Sequence, residues 1–226
     1  MNLIYKGKTK DVYGLENGNV LLRFKDDATG EDGVFNPGAN QVSLKIDQMG
    51  HYNLLVTKYF FDIIEENKIK THFISFSEDK NEMEVVNCKP FGKGLEVIFR
   101  NYAYGSFVKR YGLYAKPMMP LKDYVEFTLK DDERNDPLIT KEALISFGIL
   151  NEKEYEQLVD STIEISNLIT DILASKNIEL IDIKLEFGRD QDGNILLMDE
   201  IAAGNMRAFK DSKQVDPIEL SKLILS

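Results

Sequence analysis

The chain has 226 residues, 43% hydrophobic and 29% charged, which is ordinary for a globular protein with ample core. Its 28 Lys and Arg against 38 Asp and Glu leave a net charge of −10, a field that argues against nucleic acid and anionic membranes as partners. A lone Cys88 excludes an internal disulfide, and Cys88, His51 and His72 are too few for a cysteine/histidine zinc site.

The opening residues, Met1 to Lys8, contain no apolar h-region, so no signal peptide is expected. No apolar run reaches the length of a membrane span, and the expected location is the cytoplasm. Residues 11–13 and 20–24 flank the turn signal Glu16-Asn17-Gly18-Asn19 and predict a β-hairpin. Residues 26–40, rich in glycine and acids, read as a loop. Residues 53–67 read as an amphipathic helix with Asn53 at its cap. Strands are expected at 72–76 and 83–88, with Cys88 as a packed thiol, and a hinge at 89–94.

A strand at 95–99 opens the second half. Residues 151–176 give the clearest helix: Asn151 and Glu154 form a capping-box pattern, and Leu158, Ile165, Ile169 and Ile172 belong to its apolar stripe. Strands follow at 178–188 and 194–201, and Asp216-Pro217 opens a short final helix. Strands and helices mix without strict alternation, which argues for an α+β fold.

The stretch 180–188 alternates strictly. Ile181, Ile183, Leu185 and Phe187 face one side, and Asp182, Lys184 and Glu186 face the other. Alone, this reads as a strand with one wet face. Asp192-Gly193, however, predicts a two-residue hairpin loop, and in that register Glu186 lies directly opposite Asp199, with Cβ atoms roughly 4.5–5.5 Å apart. Opposed carboxylates need neutralising: by a shared proton, by Lys184, or best by magnesium, which takes one or two carboxylates together with substrate phosphates.

Six segments in order resemble the motifs of SAICAR synthetases. They are Tyr5-Lys6-Gly7-Lys8-Thr9-Lys10, the loop from Asp26 through Asp32 to Gly33, Arg100-Asn101-Tyr102-Ala103-Tyr104-Gly105-Ser106 with Lys109-Arg110, Lys130-Asp131-Asp132 with Asp136-Pro137, Asp182-Ile183-Lys184-Leu185-Glu186-Phe187-Gly188, and Asp199-Glu200. The resemblance implies a two-lobe α+β fold: a β-rich N-terminal nucleotide-binding lobe at residues 1–92, and a larger α+β lobe at 93–226 with the metal and substrate site. It implies an ATP- and magnesium-dependent ligase. Carboxyaminoimidazole ribonucleotide is phosphorylated on its carboxylate, and the amine of L-aspartate then attacks the acyl phosphate. The partners implied are small molecules, not nucleic acid or membrane. A homodimer is compatible with the family, and the sequence does not fix oligomeric state.

By the same resemblance, Lys8, Lys10 and Lys184 would hold ATP phosphates, and Glu186 and Asp199 would bind Mg2+. Arg100, Ser106 and Arg207 would hold the ribonucleotide phosphate, a task that suits guanidinium forks and a hydroxyl. Asp182 would line the reacting carboxylate, and Asp32, Lys130 and Asp136 would shape the amine and substrate pocket. Taken one at a time, these lysines and arginines read as solvated or ion-paired surface residues, and Asp136-Pro137 reads as turn chemistry.

The sequence departs from the family pattern after Asp199-Glu200. Ala202, Ala203 and Gly204 stand where a Ser-Pro-Asp is usual, Ala208 to Asp211 replace an aromatic-Trp-Asp segment, and the arginine-rich final segment is missing. Two alternatives therefore stand beside the main reading: a related carboxylate–amine ligase with another acceptor or amine, and a nucleotide-binding regulatory protein without turnover.

Overall fold

The computed structural model describes residues 1–31, 33–36 and 41–226. In chain order, the first elements are β1 (Asn2–Lys6), β2 (Lys10–Gly14), β3 (Val20–Phe24), β4 (Asp27–Glu31), β5 (Val34–Phe35), β6 (Val42–Lys45), α1 (Met49–Glu66), β7 (Phe73–Ser77), β8 (Glu82–Val85) and β9 (Lys89–Pro90). There follow β10 (Leu95–Tyr102), α2 (Ser106–Tyr111), β11 (Pro120–Leu129), α3 (Lys141–Ser146), α4 (Glu152–Ser175), β12 (Glu179–Arg189), β13 (Ile195–Met198), β14 (Met206–Lys210), β15 (Lys213–Gln214) and α5 (Pro217–Leu225). The fold is mixed α+β. No helix among the described residues is long and apolar enough to cross a membrane.

The chain divides into two compact units. The first comprises Met1–Lys89, Gly188–Asn205 and Asp216–Ser226. Its main sheet is antiparallel, in the order β1-β2-β3-β8-β7. The β2–β3 hairpin forms as expected, pairing Gly14 with Val20 through Lys10 with Phe24. Val20, Leu22, Phe24, Met83 and Val85 are buried, and α1 supplies Leu54, Phe60, Phe61 and Ile64 at helical spacing. α5 packs against α1 through this unit's core. Asp216 caps α5, its Oδ1 accepting from the N–H groups of Ile218 (2.9 Å) and Glu219 (3.3 Å), with Pro217 in the first turn.

Two expectations fail in this unit. Residues 26–40 were expected as loop, but their described part contains β4 and β5, in a small sheet ordered β5-β4-β6. Pairing with β6 supplies the backbone bonds, and Ala28 is buried, so tertiary context overrides weak strand propensity. Asn53 is not the cap of α1; it is a buried interior residue, and the helix starts at Met49. The first turn is held from a distance, with the Gly50 N–H donating to Asp26 Oδ1 at 3.0 Å. A cap supplied from 24 residues upstream leaves no local signature.

The second unit comprises Pro90–Phe187 and Met206–Val215. Its sheet runs β11-β10-β12-β14-β15. α4 lies on β10 and β11 and buries Leu158, Ile165, Ile169 and Leu173. Its capping box is complete: Asn151 Oδ1 accepts from Glu154 N–H, and Glu154 Oε2 accepts from Asn151 N–H. On β12, Ile181, Ile183, Leu185 and Phe187 are buried as expected. The opposite face is not wet: Asp182 is 4% and Glu186 9% exposed. That face is covered by charged partners from neighbouring strands, described below.

Candidate active site

The register of the second sheet builds one polar face. Arg100 pairs with Asp182 across β10 and β12, Ile98 with Lys184, and Glu96 with Glu186. On the other side of β10, Ile98 faces Glu126 and Glu96 faces Thr128. Arg207 on β14 pairs with Asp182. Strand alternation turns Glu96, Arg100, Glu126, Thr128, Asp182, Lys184, Glu186 and Arg207 toward the same side.

Arg100 is the hub of this face and is 1% exposed. Its Nη1 donates to Asp182 Oδ2 at 2.6 Å. Its Nε and Nη2 both donate to Glu126 Oε1, at 3.0 and 2.7 Å, and Nη2 also reaches Ser106 Oγ at 3.2 Å. Asp182 spends its second oxygen on Arg207 Nε, 2.9 Å away. Expected site residues Arg100, Ser106, Asp182 and Arg207 therefore form one connected group. Arg207 also lies over the Tyr104 ring, which meets Phe209 edge-on. Gly105 has φ +54°, and a Cβ there would fall 2.0 Å from Arg207 Nη1. Only glycine lets the backbone approach this guanidinium so closely.

Further along the face, Lys184 Nζ donates to Glu96 Oε1 at 2.6 Å, and Thr128 Oγ1 donates to Glu96 Oε2 at 2.8 Å. Burial alone would lower the Lys184 ammonium's pKa, but Glu96 and Glu186 outweigh it, so the pKa is raised. Glu186 Oε1 accepts instead from Lys130 Nζ, at 2.8 Å. Asp136 closes its own loop, its Oδ1 accepting from Asp131 N–H at 2.7 Å.

The first unit holds a second charged group. Lys10 on β2 is buried, with Nζ 2.9 Å from Asp199 Oδ1 and 3.0 Å from Glu200 Oε2. Burial opposes its charge, yet the two carboxylates prevail and raise its pKa above the usual lysine range. His72 Nε2 lies 3.1 Å from the Asp199 carbonyl oxygen. Burial pushes its imidazole down to about 4, against Asp199 and helped by Lys10, so the ring is neutral near pH 7. Lys8 is half-buried in the bend before β2, and Asp32 lies outside the described residues.

The expected hairpin register is corrected. Asp190 N–H donates to Asn194 O at 3.0 Å and Gly193 N–H to Asp190 O at 3.1 Å, so the loop has three residues. β13 ends at Met198, and Asp199 follows it with φ +69°. Asp199 therefore stands outside the ladder instead of directly across it from Glu186. Asp190 drives the change: its carboxylate accepts from the N–H groups of Asp192 and Asn194. Cys88 is a half-buried free thiol, and burial with the nearby Asp190 pushes it up to about 11.

The sequence reading missed Glu96 and Glu126, and it named Arg110 and Glu200 within motifs without giving them a role. The available signal was alternation: Glu96 and Arg100 interleave with buried Leu95, Val97 and Phe99, just as Glu126 and Thr128 flank buried Phe127. Polar side chains at every second position of an apolar strand mark a second buried face when they come in complementary charges.

A model of the SAICAR synthetase family matches residues 3–223. The chain is 55% identical, over 226 residues and all of both chains, to a phosphoribosylaminoimidazole-succinocarboxamide synthase of Clostridium tetani. Among solved structures, a SAICAR synthetase in complex with ADP superposes with a TM-score of 0.85 at 29% identity, covering 98% of this chain and 95% of that one. A phosphoribosylaminoimidazole-succinocarboxamide synthase from Ehrlichia chaffeensis also gives 0.85 at 29% identity, covering 100% and 92%. Matched by the family model over residues 3–223 and by a full-length relative at 55% identity, the chain belongs to the SAICAR synthetase family.

Proposed function

We propose that the chain is an ATP-dependent carbon–nitrogen ligase that joins carboxyaminoimidazole ribonucleotide to L-aspartate, giving SAICAR, ADP and phosphate in purine biosynthesis in the cytoplasm. The end-to-end 55% identity to a synthase of that name carries the reading. The γ-phosphoryl group passes to a carboxylate oxygen of the ribonucleotide and ADP leaves. The aspartate nitrogen then attacks the acyl carbon, the C–N bond forms, and phosphate departs as the nitrogen loses its proton. Positioning and charge neutralisation supply most of the catalysis in such transfers.

In this reading, Arg100, Ser106 and Arg207 receive the ribonucleotide phosphate. Three arginines, counting Arg110, against Asp182 and Glu126 leave one net positive charge there, which reconciles an anionic substrate with an acidic protein. Asp182 orients the acceptor end by holding both guanidinium groups. Lys8, Lys10 and Lys184 serve the nucleotide phosphates, the last two kept as ammonium by their carboxylates. Asp32, Lys130 and Asp136 shape the amine pocket. The lobe at residues 1–92 supplies Lys8 and Lys10 to the nucleotide, and the lobe at 93–226 supplies Lys184 and the acceptor group.

Glu186 and Asp199 would hold magnesium. Both are hard oxygen donors of the kind magnesium takes, and each is paired with an ammonium group that the ion would have to meet or move. Among the described residues no group of three or more His, Cys, Asp or Glu could hold a metal, which suits an ion shared with nucleotide phosphates better than an all-protein cage. When bound, the ion would neutralise phosphate charge.

Buried methyl groups at Ala202 and Ala203, in place of the usual serine and proline, favour a second reading in which the acceptor or amine differs. Thermal unfolding separates the two. Stabilisation by both Mg-ATP and carboxyaminoimidazole ribonucleotide supports the first reading; stabilisation by Mg-ATP alone supports the second.

A further inference from the structure

The buried Glu126 carboxylate serves two arginines at once. Beside the two bonds from Arg100, it accepts from Arg110 Nη2 at 2.6 Å (Oε1) and 2.7 Å (Oε2). Tyr124 Oη sits 3.5 Å from Oε2. The two guanidiniums differ in what they have left to offer. Arg100 has four of its five N–H bonds engaged, by Glu126 twice, Asp182 and Ser106. Among the described residues Arg110 donates through Nη2, and its side chain is 30% exposed, against 1% for Arg100. Arg207 likewise commits Nε among the described residues and is 11% exposed.

We infer that Arg110 is a further anion-binding residue of the acceptor pocket, seated there by Glu126 as a positioning residue. The inference rests on the proposed reading of the Arg100–Ser106–Arg207 group as a phosphate site. Arg100, buried and with four N–H bonds engaged among the described residues, has one left to offer the phosphate. It acts as the fixed post to which Ser106, Asp182 and Glu126 are tied, and through Asp182 and Glu126 it sets the places of Arg207 and Arg110. Those two keep free N–H groups and access to solvent. An anion held between them meets forked donors, and the carboxylates behind hold the forks in place without touching the ligand. Glu126 differs from a simple counter-ion in bridging two cations; removing it frees Arg110 and loosens Arg100, which keeps Asp182 and Ser106.

The test compares Arg110→Met, Arg110→Lys, Glu126→Gln and Arg207→Met in the full chain. Steady-state KM is measured for the ribonucleotide and for ATP, together with inhibition by ribose 5-phosphate as a probe of the phosphate site alone. Arg110→Met is expected to raise KM for the ribonucleotide and Ki for ribose 5-phosphate by about ten-fold, the cost of one charge-assisted contact, with ATP KM unchanged. Arg110→Lys should recover part of the loss. Glu126→Gln, if it folds, should weaken both ligands by more than Arg110→Met does, because it unseats Arg110 and also loosens Arg100. If Arg207→Met weakens ribose 5-phosphate and Arg110→Met does not, Arg110 is only a counter-ion and the inference is overturned while the phosphate site stands. If neither does, the phosphate site itself is misplaced. If Arg110→Met raises both KM values alike, its role is structural, and the inference again fails.

Discussion

Lys130 Nζ lies 2.8 Å from Glu186 Oε1, so a carboxylate proposed to bind metal is held by an ammonium group from the loop after β11. The same sheet face gives Lys184 to Glu96 instead, although Lys184 is the nearer neighbour of Glu186 in sequence. A lysine on that oxygen and a divalent cation at the proposed site compete for the same carboxylate charge. Even at the other carboxylate oxygen a bound cation would be repelled by the ammonium, and Lys130, 44% exposed, has room to move aside.

Lys130→Met is therefore expected to lower the Mg2+ concentration needed for half-maximal ADP binding by about three- to ten-fold, a modest effect because an exposed ammonium is well screened. Calorimetric titration of ADP at graded Mg2+ reads it directly. An unchanged or higher Mg2+ requirement would remove Glu186 from the metal site.

Gly105→Ala places a Cβ 2.0 Å from Arg207 Nη1 at a backbone φ of +54°. The guanidinium must move, because the alternative is a shift of the Gly105 backbone that carries Ser106. Ribonucleotide KM should rise at least about ten-fold, with ATP KM little altered. Matching losses for both substrates would mean that Arg207 does not serve the acceptor.

His72 fixes an acid-side pH dependence. Its folded pKa, about 4, lies below the usual 6.5, because burial of the 2%-exposed ring penalises the charged form. As pH falls below about 6.5 the unfolded chain takes up the proton first, so the contribution is complete above that pH and is lost between 6.5 and 4. By pH 5 the loss amounts to about 2 kcal/mol. Urea unfolding at pH 7.5 and pH 5 should show a smaller drop for His72→Gln than for the unaltered chain; equal drops would assign the pH dependence to other groups.

Local pattern made much of this legible. The α4 capping box, the β2–β3 hairpin and the alternation of β12 were readable because their causes lie within a few residues of one another. Where causes lie far apart, the reading failed. The start of α1 depends on Asp26, the strand at β4 on pairing with β6, and the three-residue loop on the Asp190 side chain in place of the Asp-Gly step. The site divides the same way. Asp182, Lys184 and Glu186 stood out on one strand, but their partners did not. Arg100 finds Asp182 across 82 residues, Lys184 finds Glu96 across 88 and Lys130 finds Glu186 across 56. Sheet register creates those pairs, and no single segment encodes it.

The most direct test of ligase activity is ADP release from the purified chain with Mg-ATP, carboxyaminoimidazole ribonucleotide and L-aspartate, each omitted in turn, beside Glu186→Gln. Release is expected only with all components present, with loss of turnover in Glu186→Gln and no change in its fold. ADP release that ignores the ribonucleotide or aspartate, or no release while Mg-ATP still binds, would contradict the account and turn attention to Ala202, Ala203 and Gly204 as the place where another acceptor is selected.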